Sequence, residues 1–140
     1  MNKKKLSILI TLVFLIVVSQ AALAHTPILY VEDYHDGTIY VQGGFSDGSS
    51  ASGTDILLVT EQEFTGDTSA RDQYLDKIGA ETPAGEAELF EEKLVIYRTQ
   101  LDNFSEALID KPAANYKVVF AAGPGHNVIE KGPKLTDSEL

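Results

Sequence analysis

The chain has no cysteine, no tryptophan and a single methionine. Without cysteine there is no disulfide, no thiolate metal centre and no thiol for a lipid anchor. The fold must hold by packing and hydrogen bonding alone. Cations are also scarce: 11 Lys and Arg stand against 21 Asp and Glu, a formal charge of −10. That field repels nucleic acid and anionic lipid, so neither is an expected partner. Only one apolar run stands out, at residues 6–18. It is short for a transmembrane helix. There is no P-loop, no G-x-G-x-x-G, no H-E-x-x-H and no G-x-S-x-G, so the commonest nucleotide, zinc-protease and serine-hydrolase chemistries have no support.

What is present begins with an export signal. Lys3, Lys4 and Lys5 precede the apolar run, and Ala22-Leu23-Ala24 closes it with the small residues that a signal peptidase reads. Residues 1–24 are therefore expected to be a signal peptide, cut after Ala24, with no stable membrane anchor left. The 116 residues that remain carry eight basic and 21 acidic side chains, a net charge of −13. That length is one domain, large enough to bury a core. Its expected location is periplasmic or extracellular.

The mature chain reads as mainly β. Residues 28–34 are rich in β-formers, Asp36-Gly37 signals a tight turn, and residues 38–45 alternate, which together predict a hairpin. Residues 55–60 are apolar enough for a strand buried on both faces. Residues 68–79 carry Tyr74, Leu75 and Ile78 at helical spacing before a stop glycine, and predict one short helix in a long connection. Strands are expected over 89–98, more weakly over 103–109, over 116–122 and over 126–130. Val118 and Phe120 share the core face of their strand. About seven strands in roughly one hundred residues predict an all-β, immunoglobulin-like β-sandwich, with a small open barrel as the alternative. The domain spans 25–131, and 132–140 is a polar C-terminal tail expected to fray.

The residues able to carry chemistry are three histidines, His25, His35 and His126. Cleavage after Ala24 exposes His25 as a new N-terminus, whose α-amine and ring Nδ1 can close a chelate on a metal ion. Pro27 at the third position has no amide hydrogen, so a site built from successive backbone amides is excluded. His126 follows Gly123-Pro124-Gly125, a break that re-aims the chain after a strong strand. His35 lies beside Asp36 in the first turn, where an ordinary exposed residue is the better reading. The other two also admit plain readings, an accident of cleavage for His25 and a loop residue for His126. An imidazole and amine set suits Ni(II), Cu(II) or Zn(II) better than Ca(II) or Mg(II). The paired carboxylates Glu91-Glu92 and Glu86/Glu88 read as a solvated edge, and Asp47-x-Ser49 falls short of a calcium loop.

Three stretches together resemble one family: Ala24-His25 at the cut, residues 40–48 (YVQGGFSDG) and residues 116–126 (YKVVFAAGPGH). They are similar to the exported, immunoglobulin-like accessory proteins of bacterial nickel and cobalt uptake systems. That resemblance implies that His25 and His126 bind or deliver a metal ion, while His35 has no counterpart. The expected function is thus transition-metal binding (nickel, cobalt or copper), with a membrane metal transporter as partner and no enzymatic activity. Two alternatives stay open: a structural or adhesive interaction module without metal, and a copper-dependent oxidase using the N-terminal histidine.

Overall fold

A computed structural model describes residues 2–5, 25–64, 68–78 and 88–140. Most of the expected signal peptide, residues 6–24, lies outside them. Among the described residues no helix is long and apolar enough to cross a membrane.

From Pro27 on, eight strands and one helix are found among the described residues: β1 (Pro27–Asp33), β2 (Thr38–Phe45), β3 (Asp55–Thr60), α1 (Thr68–Ile78), β4 (Leu89–Phe90), β5 (Lys93–Gln100), β6 (Glu106–Asp110), β7 (Tyr116–Ala121) and β8 (Asn127–Lys131). They form two antiparallel sheets, β1-β2-β6 and β4-β5-β3-β7-β8. The molecule is an all-β sandwich with one short helix. In immunoglobulin lettering β1-β2-β6 follow the order A-B-E and β5-β3-β7-β8 the order C′-C-F-G, but β4 precedes β5 in the chain and so is not a C″ strand.

The core follows from alternation. Ile39 and Val41 of β2, Ile109 of β6, and Ile56, Leu58, Val118 and Phe120 of the second sheet all point between the sheets and are buried. Leu75 of α1 joins them, and Tyr74 packs on Phe64 with ring centroids 5.6 Å apart. β3 is buried on both faces: Leu57 and Val59 turn outward and form a second cluster with Val95 and Val119. Gly43 is required for this packing, because a Cβ there would lie 2.6 Å from both Leu101 Cδ1 and Phe120 Cε2.

Three local features differ from expectation. The strand expected over 89–98 is two strands, because Glu91 and Glu92 adopt positive φ (47° and 63°) and form a two-residue hairpin turn. The weak strand over 103–109 starts only at Glu106. Asp102 Oδ1 accepts hydrogen bonds from the backbone of Phe104 (2.8 Å) and Glu106 (3.0 Å), and that turn delays strand pairing. The tail over 132–140, expected to fray, makes tertiary contacts. Glu139 folds back, accepts from Thr136 N (2.6 Å) and reaches Lys111 Nζ at 2.5 Å.

Candidate functional site

The sandwich has two ends, and the histidines divide between them. Phe45 at the end of β2 packs on Phe120 near the end of β7, with ring centroids 5.6 Å apart. His25 lies edge-on to Phe45, at 6.4 Å between centroids. His126 directly precedes β8, whose first residue Asn127 pairs with Ala121 of β7. His25 and His126 therefore stand at one rim, at the starts of β1 and β8. At the other end of the same two strands, Gly132 N donates to Tyr116 O (3.0 Å), and the tail beyond it meets Asp33 through Lys111. β1 and β8 thus run in the same direction.

His35 is at that opposite end. It follows β1, whereas His25 precedes it, and seven extended residues separate the two by roughly 23 Å. A single ion therefore cannot bridge His25, His126 and His35 together: the expected three-histidine set is split, two at one end and His35 at the other.

At the rim, His25 Nδ1 lies 2.7 Å from Asp47 Oδ2. Asp47 sits in the turn after β2, and its Oδ1 accepts from Ser49 Oγ (2.6 Å) and Ser49 N (3.0 Å). Those bonds first, and His25 second, hold its carboxyl below the usual carboxylate range. Ser46 Oγ accepts from Thr26 N at 3.1 Å and ties the same turn to the start of β1. A neutral His25 that donates Nδ1–H to Asp47 keeps its lone pair on Nε2. In the uncut chain Nδ1 thus faces a carboxylate, whereas the expected amine–Nδ1 chelate requires the amine that cleavage after Ala24 would free. His126 Nδ1 lies 3.2 Å from Pro124 O, which likewise turns Nε2 away from its own loop. Asp47 was passed over in sequence as part of a polar loop. Its closeness to His25 depends on how β1 and β2 pair.

The opposite end holds a denser cluster. Lys111 Nζ lies 2.6 Å from Asp33 Oδ1 and 2.5 Å from Glu139 Oε1, with its side chain 0% exposed. His35 Nδ1 is 3.4 Å from Asp33 Oδ2. The ligating atoms of Asp33, His35 and Glu139 all lie within 4.8 Å of one another. The Lys111 ammonium already sits on both carboxylates and offsets one of their two charges, so the cluster reads as an ion network ahead of a metal centre. Lys111 first, then Thr136, brings Glu139 down to about 2. Lys111 also lowers Asp33. Nearby, the Tyr116 hydroxyl is buried with no hydrogen-bond partner among the described residues, and burial raises its pKa. A cleft beside α1, lined by Thr60, Glu61, Glu63, Phe64, Tyr74 and Asn115, contains none of the histidines.

Compared with known proteins, the chain matches no family model, no curated protein and no solved structure.

Proposed function

We propose that this chain is an exported transition-metal-binding domain whose ion sits at the His25/His126 rim. The observation that carries the reading is the shared rim itself: two imidazoles stand at the starts of adjoining strands, and one is held at Nδ1 by a carboxylate 2.7 Å away. A carboxylate on the far nitrogen of a ligating imidazole is the usual support of such a ligand. Two imidazoles with open positions suit nickel, cobalt or copper, and leave room for a ligand of the acceptor to take the ion over. Such a module binds and delivers rather than catalyses. A membrane metal transporter is the matching recipient, in line with the resemblance to nickel and cobalt uptake accessories.

The test is titration with Ni(II), Co(II), Cu(II) and Zn(II) of protein secreted and cut after Ala24. His25→Ala and His126→Ala should each lose most of the affinity, and His35→Ala should lose little. One residue added before His25 should leave binding intact if Nε2 is the ligand. Loss of binding in that extended variant would favour the amine–Nδ1 chelate instead. Affinity no better than millimolar in the intact protein would overturn the metal reading and leave an interaction module.

A further inference from the structure

The two sheets differ in charge. β1, β2 and β6 contain Glu32, Asp33, Glu106 and Asp110 and no Lys or Arg. The other sheet carries Lys93, Arg98, Lys117 and Lys131. Register places Tyr30, Gln42 and Glu106 in one outward row and Glu32, Tyr40 and Leu108 in the next. Ile28, Tyr30 and Leu108 are 52%, 51% and 62% exposed, and Tyr34 stacks on Tyr40 at 5.8 Å. Glu106 beside Tyr40 pushes its hydroxyl up to about 12. Among the described residues no cation pairs with Glu32, Glu106 or Asp110.

The edge of this sheet is open as well. β6 pairs only with β2 among the described residues. Its ladder is flanked by Gly43 N–H to Ser105 O and by Lys111 N–H to Gly37 O. Residues 105, 107, 109 and 111 therefore bond toward β2, and the even residues turn their backbone groups outward. Asp102 closes the edge at Glu106: its N–H donates to Glu106 O at 2.9 Å, and its Oδ1 accepts from Glu106 N at 3.0 Å. Leu108 and Asp110 keep outward N–H and C=O groups.

The geometry points to the β6 edge and the tyrosine face beside it as the docking site for an extended, basic segment of a partner protein. Such a segment adds as a strand along Leu108 and Asp110. Its side chains alternate, so those facing Leu108 and Asp110 read apolar and basic, and a second basic side chain reaches the Glu106 carboxylate from beyond the end that Asp102 closes. Arginine suits the basic positions, since it pairs with a carboxylate and also lies on tyrosine faces. Charge selects the partner here: this face is acidic without compensation, and it belongs to a strongly acidic protein. This surface is separate from the histidine rim and does not depend on metal.

The probe is a capped nine-residue peptide with the core Arg-Thr-Val-Thr-Arg, compared with its Glu-Thr-Val-Thr-Glu counterpart by amide chemical-shift mapping on the full mature protein. The arginine peptide should bind at least tenfold tighter, with shifts concentrated on β6 and the outward residues of β1 and β2. Glu32→Gln with Asp110→Asn should weaken it about tenfold, and Glu130→Gln on the other sheet should not. Equal binding of both peptides, or shifts spread over both sheets, would overturn the proposal. So would concentration-dependent self-association removed by Leu108→Lys without peptide binding, which would assign the face to a second copy.

Discussion

Lys111 Nζ lies 2.6 Å from Asp33 Oδ1, joining the segment after β6 to the end of β1 across the closed end of the sandwich. Glu139 completes the pair from the C-terminal tail. Removing the lysine leaves two carboxylates facing each other without a cation. Breaking such a pair from one side costs roughly 3 kcal/mol or more. Lys111→Met should therefore lower the melting temperature clearly, by more than Glu139→Gln, which leaves Asp33 to hold the ammonium. A Lys111→Met protein as stable as wild type in urea would show that the network is not holding the tail.

The same network sets an acid limit. Glu139 falls to about 2 when folded, and Asp33 is also lowered. Depressed carboxyl pKa values stabilise the folded state fully above their unfolded values, and the contribution is lost as pH falls through the folded ones. Stability should hold down to about pH 5 and fall between roughly pH 4.5 and 2. Lys111 has a raised pKa, so its share is complete below about 10.5 and is lost only in stronger alkali. Urea midpoints across this range should show a shallower acid decline for Glu139→Gln than for wild type.

Phe120 is fully buried against Phe45 and beneath Gly43. Phe120→Ala should cost about 3–5 kcal/mol. Gly43→Ala drives a methyl into Phe120 and Leu101 and should cost about 1–3 kcal/mol. Equilibrium unfolding measures both, and a loss below about 1 kcal/mol for Phe120→Ala would place the side chain on the wrong face.

Strands were legible where side chains alternate or run apolar, as at Ile39, Val41, Val118 and Phe120. Local patterns could not reveal what distant chain segments do to one another. Lys111 looks like any loop lysine until β1 and the tail close around it. Glu139, 102 residues from Gly37, sits in a stretch with every compositional mark of a frayed end. Glu91 and Glu92 break a strand although neither is a turn former, because the hairpin imposes positive φ on both. For the site, sequence picked out His25, His126 and His35, but which end of the fold each occupies was decided by pairing. The same pairing puts His35 at the far end and Asp47 beside His25.

Asp47 is the sharpest handle on the rim. Its Oδ2 meets His25 Nδ1 at 2.7 Å, while its Oδ1 is occupied by Ser49. Asp47→Asn can keep the Ser49 bonds and hence the turn, but it removes the negative charge that favours Nδ1–H and a basic Nε2. The pair is exposed on the histidine side, so its contribution to folding is small and the melting temperature should stay unchanged. Metal affinity should fall about 10–100-fold, the range seen when the supporting carboxylate of a ligating imidazole is lost. The pH profile should also change. Protons compete with the ion for imidazole nitrogen, so wild-type affinity should fall as the solution is acidified, with proton release on binding. Calorimetric titration of wild type and Asp47→Asn in two buffers of different ionisation enthalpy reads affinity and proton release together. An Asp47→Asn protein that binds nickel as tightly as wild type would mean that Nδ1 is not held for the metal. His25 would then either chelate through its amine or take no part.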